Sequence, residues 1–167
     1  MKITYGLATL GIVILVISII GICVVNFQTL YTELQHEVPT GCIDVNVIGA
    51  QYSFTGTSIL TWTLICCAFM IIQFLLFLAI RGAASRREKL ALTKLCIACV
   101  IIGILLLYST YTTYSIVKSL YLKCSVDILN TISILNMLFG AIPLAISIVC
   151  LISSFIEGRR YVRYRRL

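Results

Sequence analysis

Few residues in this chain are of a type that does chemistry, and their spacing limits what that chemistry is. Cys96-Ile-Ala-Cys99 places two thiols three residues apart, the spacing of a dithiol redox motif. The sole histidine, His36, sits between Gln35 and Glu37, with Glu33 and Asp44 in the same region. One imidazole and scattered carboxylates lack metal-ligand spacing, so this stretch reads as a solvated acidic loop. No catalytic residue, cofactor or metal is expected from it.

The elements that must position these groups are apolar. The 167 residues are 60% hydrophobic and 11% charged, with a mean hydropathy of +1.07. A soluble domain of this size buries only about 70% of the surface its unfolded chain exposes, too little to hide so much hydrocarbon. Four uninterrupted runs, at about 4–27, 58–80, 95–117 and 128–156, each exceed the ~20 residues a helix needs to cross a bilayer. None has an Asp, Glu, Lys, Arg or His in its interior, which leaves no intramembrane proton relay and argues against an ion-coupled transporter.

Continuous apolarity excludes a transmembrane barrel, whose strands alternate polar with apolar residues. Helices remain, each closing its own backbone hydrogen bonds. The first run exceeds the roughly 7–15 apolar residues of a signal peptide, and no small-x-small cleavage site follows Cys23, so it reads as a retained anchor. The expected fold is an all-α membrane protein: one domain over residues 1–167, forming a four-transmembrane-helix bundle.

Charge gives the orientation, because Lys and Arg beside spans stay cytoplasmic. Arg81, Arg86, Arg87, Lys89 and Lys94 fall in the segment 81–94 between spans two and three. Arg159, Arg160, Arg163, Arg165 and Arg166 fall in the tail 157–167, and Lys2 precedes span one, making eleven of thirteen basic residues on one side. The segment 28–57 has no Lys or Arg and carries Glu33, Glu37 and Asp44, while 118–127 holds Lys118 and Lys123. These two are the expected outer loops, with both termini inside. The net charge of +7 is thus a topology signal; the expected partner is the lipid bilayer with its anionic headgroups, and not nucleic acid.

Of eight cysteines, only Cys42 and Cys124 fall in the outer loops. Two thiols in an oxidising compartment have one possible intramolecular pairing, and a Cys42–Cys124 disulfide is expected, with free thiols or an intermolecular bond as the alternative. Leu30, Leu34 and Val38 extend span one at helical spacing until Pro39 and Gly41. Ile43, Val45 and Val47 then alternate with Asp44 and Asn46, predicting a short strand with 51–55 as its antiparallel partner. No Asn-x-Ser/Thr acceptor is present, so N-glycosylation is not expected.

Within the spans, Thr4, Gly11 and Ser18 recur every seven residues, and Asn136, Gly140, Pro143 and Ser147 follow one face of span four. Such stripes let helix backbones approach closely in lipid, and they read as helix–helix seams, with a permeation or ligand path as the functional alternative. Gln73 in span two and Asn130 and Asn136 in span four are amides that must find partners in hydrocarbon. Tyr108, Tyr111 and Tyr114 lie three apart near the outer boundary, as in an aromatic belt, with a sterol or lipid groove as the alternative.

The Cys96/Cys99 motif resembles the dithiol of membrane thiol oxidoreductases such as the vitamin K epoxide reductase family, which implies a redox activity. That family needs the pair near the lumen and a second cysteine pair in a loop. Here Cys96 and Cys99 follow Lys94 at the cytoplasmic end, and each outer loop has one cysteine, so structural thiols or S-acylation of Cys96 fit better. Four spans with a larger first outer loop resemble the tetraspan architecture of claudins, MARVEL-domain proteins and tetraspanins. The resemblance stops at architecture: the only tryptophan, Trp62, lies in span two, and Cys66-Cys67 is in a span, not in a large second loop.

The tail ends in Tyr164-Arg-Arg-Leu167, which is similar to the Y-x-x-Φ signal read by clathrin adaptors, but Arg159, Arg160, Arg163, Arg165 and Arg166 suit anionic headgroups, and the lipid reading is the favoured one. The function expected is a non-enzymatic tetraspan in the plasma membrane or endomembrane system, acting as a membrane organiser or as a subunit with other membrane proteins or its own copies. The alternatives are a small oligomeric channel or transporter and a thiol oxidoreductase.

Overall fold

The computed structural model describes residues 2–34, 45–124 and 127–164, and the side chains of 2–27, 60–118 and 130–157. The described residues fold into four helices: α1 (Lys2–Leu34), α2 (Val45–Arg86), α3 (Lys89–Cys124) and α4 (Asp127–Tyr164). Each contains a stretch long and apolar enough to cross a bilayer: Lys2–Phe27, Leu60–Arg86, Lys89–Lys118 and Asn130–Glu157. The described residues are therefore helical apart from the turn at Arg87 and Glu88, and four candidate spans make this an integral, multi-pass membrane protein.

The helices outrun the spans. From 33 residues in α1 to 42 in α2, they measure about 50–63 Å at 1.5 Å per residue, against ~30 Å of hydrocarbon. Most of what reads as outer loop is thereby helical: α1 continues to Leu34, α2 starts at Val45, and α3 reaches Cys124. The strand expectation is corrected, since Val45, Val47 and residues 51–55 all lie in α2 and no strand occurs among the described residues. The alternation there covers only a few positions, and a strand needs a stable sheet partner. Extending an existing helix adds a hydrogen bond per residue with no new nucleation cost.

The four helices form a ring in which α1 packs on α2, α2 on α3, α3 on α4 and α4 on α1, while diagonal pairs do not pack as elements. Buried positions in α1 are Thr4, Ala8, Leu15, Ser18, Ile22 and Asn26, with Gly11 between Ala8 and Leu15. Their steps of four and three keep to the helical repeat of about 3.6, so these residues lie on one face of α1. In α2, Thr63, Cys66, Met70, Gln73, Phe77 and Ile80 repeat the same steps. The opposite faces expose Val13, Ile17, Ile20 and Val24 in α1 and Leu64, Ile71 and Leu75 in α2. Apolar residues outside and Asn, Gln, Ser and Thr inside is the distribution that lipid as solvent selects.

Between α2 and α3 the chain reverses over two residues. Arg87 adopts the left-handed conformation at φ 59°. Its N–H donates to Ala84 O at 3.4 Å and the Glu88 N–H donates to Ala83 O at 3.1 Å, the two bonds of a Schellman cap. Glu88 O then accepts from Leu92 N at 2.9 Å, opening α3. The turn places Arg81, Arg86, Arg87 and Lys89 at the end of the bundle that also holds the start of α1 and the end of α4.

Candidate functional site

Among the described residues, buried polar side chains form successive layers along the ring. At the basic end, the Glu157 carboxylate of α4 accepts the backbone N–H groups of Ile3 and Thr4 at 3.1 and 3.4 Å and the Thr4 hydroxyl at 2.6 Å. Thr4 Oγ1 lies 3.0 Å from Ser153 Oγ. An acidic side chain from one helix thus satisfies amides that the first turn of another leaves open, where the helix dipole favours negative charge. Beside it, Arg81 Nε donates to Tyr5 Oη at 2.8 Å, and the guanidinium carbon lies 4.9 Å from the centre of that ring.

One layer in, Gly11 faces Phe77: a Cβ at Gly11 would lie 2.7 Å from the ring tip. The next layer is centred on Gln73. Its Nε2 donates to Ser147 Oγ at 2.8 Å and reaches Pro143 O at 3.5 Å, joining α2 to α4 across the ring diagonal. Ser147 Oγ donates to Pro143 O at 2.9 Å, and Cys99 Sγ of α3 lies 3.3 Å from the same hydroxyl. Gly103 makes the crossing possible, since a Cβ there would stand 2.9 Å from Leu144 Cδ1 and 3.2 Å from Gln73 Nε2. Gln73 Oε1 is buried and has no hydrogen-bond partner among the described residues.

Further along, Cys66 Sγ donates to Ser109 Oγ at 3.2 Å, and Gly140 lies against Thr110, whose Oγ1, Cβ and Cγ2 all occupy the space a side chain at 140 would need. Then come Cys23 and Cys67, with their sulfurs 3.6 Å apart. The last interior layer joins three helices: Asn26 Nδ2 donates to Thr63 Oγ1 at 2.8 Å, and Asn136 Nδ2 donates to Asn26 Oδ1 at 2.9 Å and to Ile132 O at 3.1 Å. Asn136 Oδ1 is the second buried atom with no hydrogen-bond partner among the described residues. At the far rim Lys118 Nζ donates to Asn130 Oδ1 at 2.7 Å. Tyr111 and Tyr114 stack at 5.9 Å, and Trp62 meets Tyr108 edge-on at 6.4 Å.

The six residues expected at seams, Gly11, Ser18, Gln73, Asn136, Gly140 and Ser147, therefore all lie inside the ring. Cys96 and Cys99 are also fully buried. Cys42 lies outside the described residues, as do His36, Arg165, Arg166 and Leu167, and Cys124 is the last residue of α3. Among the described residues no two cysteines stand at disulfide distance; Cys23, Cys66, Cys67, Cys96, Cys99 and Cys150 are free thiols. Arg159, Arg160, Arg163 and Tyr164 continue α4 past the span. Among the described residues no group of three or more His, Cys, Asp or Glu side chains converges.

Three features have no counterpart in the sequence reading: the Glu157 cap on α1, the Asn26–Asn136 amide pair and the Cys23–Cys67 approach. Asn26 continues the Thr4, Gly11, Ser18 stripe, and following that stripe to the end of the span identifies it. No protein-family model, curated protein or solved structure matches this chain.

Proposed function

We propose that this protein is a non-enzymatic tetraspan that organises the membrane around it or serves as a subunit of a larger membrane complex, with other proteins or with its own copies. The observation that carries this reading is the direction of the polar stripes. Asn136, Gly140, Pro143 and Ser147 turn into the ring, where Asn26, Thr110 and Gln73 meet them. The outward faces along the spans are left to Val, Ile, Leu and Phe, which suits lateral contact with lipid and with neighbouring helices. A pore between copies, lined by the stripe of span four, requires those residues to leave their partners. Relay chemistry at Cys96 and Cys99 requires access to thiols that are fully buried.

The orientation in this reading puts the basic end in the cytoplasm. Arg81, Arg86, Arg87, Lys89 and Lys94 sit there on or beside the α2–α3 turn, and Lys2 and the Arg159–Arg163 stretch reach the same end along α1 and α4. They suit the anionic headgroups of a cytoplasmic leaflet at about 1 kcal/mol per basic residue. Proteoliposomes containing the purified chain should show no ionic current or solute flux above empty vesicles. Extracts of native membranes in mild detergent should carry it in an assembly larger than its detergent-bound monomer. Sustained conductance, or a monomer under every mild condition, overturns the proposal.

A further inference from the structure

We infer that Cys23 and Cys67 form an oxidative modification site, closing to a disulfide that staples α1 to α2. Their sulfurs lie 3.6 Å apart across the α1–α2 interface, about 1.5 Å beyond the bonded distance of ~2.05 Å. Accessibility singles out the same pair. Of the six cysteines whose side chains are described, Cys66, Cys96, Cys99 and Cys150 are buried, and only Cys23 and Cys67 are partly exposed. The adjacent Cys66 points away from this pair and bonds Ser109 on α3. Neighbouring thiols on α2 thus face different helices, and only one of them faces a cysteine of α1.

The chemistry closes with one co-reactant, an organic hydroperoxide of the kind formed from unsaturated lipid, which partitions where these thiols are. One thiol attacks the terminal peroxide oxygen; the O–O bond breaks, the thiol becomes a sulfenic acid and the alcohol leaves. The second thiol attacks that sulfur, the S–S bond forms and water leaves. Two thiols and one hydroperoxide thereby give one disulfide, one alcohol and one water. The site is one helical turn from Asn26 and Thr63, whose hydrogen bond already ties the same two helices. The staple therefore adds a covalent link to an interface that the reduced protein holds by packing and hydrogen bonds, and a dithiol reductant releases it.

The test uses the full chain in liposomes exposed to cumene hydroperoxide or to copper phenanthroline, then alkylated and mapped without reduction. The expected result is a cross-linked peptide joining Cys23 to Cys67, a loss of about 2 Da in intact mass that dithiothreitol reverses, and a higher detergent-unfolding midpoint in the oxidised form only. Cys67→Ser should abolish the cross-link and the midpoint shift while Cys66→Ser keeps both. Alkylation of both Cys23 and Cys67 after either oxidant, or a link from Cys23 to Cys66, overturns the inference.

Discussion

The Gln73 carboxamide on α2 crosses the ring and donates to the Ser147 hydroxyl on α4 at 2.8 Å, although the two helices do not pack against each other. The same amide nitrogen also reaches Pro143 O on α4 at 3.5 Å, so Gln73 reports directly on how the ring is closed. Gln73 donates and leaves its Oε1 unpaired, which makes the pair asymmetric. Gln73→Leu removes donor and orphan together and should change stability by less than about 1 kcal/mol, whereas Ser147→Ala leaves the buried Gln73 Nε2 only its 3.5 Å contact with Pro143 O and should cost about 1–3 kcal/mol. The double-mutant cycle, measured by unfolding in bicelles, should give a coupling of about 0.6–1.7 kcal/mol. Zero coupling would remove the diagonal contact.

The glycines predict a graded response. A side chain at Gly140 meets Thr110 close to its backbone, at Cβ as well as Oγ1, and neither can swing aside. At Gly11 it meets the tip of the Phe77 ring, which can give way, and at Gly6 or Gly82 it meets nothing within 4 Å. Gly140→Ala should therefore destabilise by about 1–3 kcal/mol, Gly11→Ala by less, and Gly6→Ala not at all. Thr110→Ala should recover part of the Gly140→Ala loss. Equal effects at all three glycines in detergent thermal unfolding would contradict the packing.

The spans were legible because lipid imposes a simple rule, about twenty apolar residues to cross. Gly11, Gln73, Gly140 and Ser147, expected at seams from their small or polar side chains, are buried inside the ring. What was not legible depends on helix rotation and register. Nothing local to Gln73 names Ser147 as its partner, and the approach of Cys23 to Cys67 exists only once α1 and α2 are aligned. The strand expected at Val45 and Val47 failed because a three-position alternation is weaker than the continuation of a long helix. Glu157 reads locally as an acid at a span end, and its partners Ile3 and Thr4 lie over 150 residues away.

The α2–α3 turn carries a residue that its backbone disfavours. Arg87 takes φ 59° at the position after the helix where glycine is usual, because Cβ crowds the backbone there. Arg87→Gly keeps both capping bonds and should stabilise the protein by about 0.5–1 kcal/mol, while Arg87→Val, branched at Cβ, should destabilise it. Urea or detergent unfolding midpoints that move in the opposite order would rule out the left-handed cap.

Orientation is testable at the same turn. Arg86 is exposed at the basic end, so a cysteine replacing it should escape a membrane-impermeant maleimide in intact cells and react after permeabilisation, judged against the unsubstituted chain. This holds for protein at the cell surface. Labelling of Arg86→Cys in sealed cells reverses the orientation that the positive charges imply.

The contact between Glu157 and Thr4 ties the two ends of the described chain together and makes the closest test of ring closure between α4 and α1. The carboxylate accepts two backbone amides and one hydroxyl, at 3.1, 3.4 and 2.6 Å. Glu157→Ala leaves those amides without that acceptor and removes a negative charge from a helix N-terminus, an effect of about 1–2 kcal/mol. Glu157→Gln retains one acceptor oxygen and should lose roughly half as much. Thr4→Val removes the hydroxyl that joins Glu157 to Ser153 while keeping the side chain's shape, so Thr4→Val and Glu157→Ala should be non-additive in a double-mutant cycle. Hydrogen exchange at the Ile3 and Thr4 amides gives the local readout. Exchange there should rise in Glu157→Ala with little change at Gln73, whereas unchanged protection would show that α4 does not cap α1.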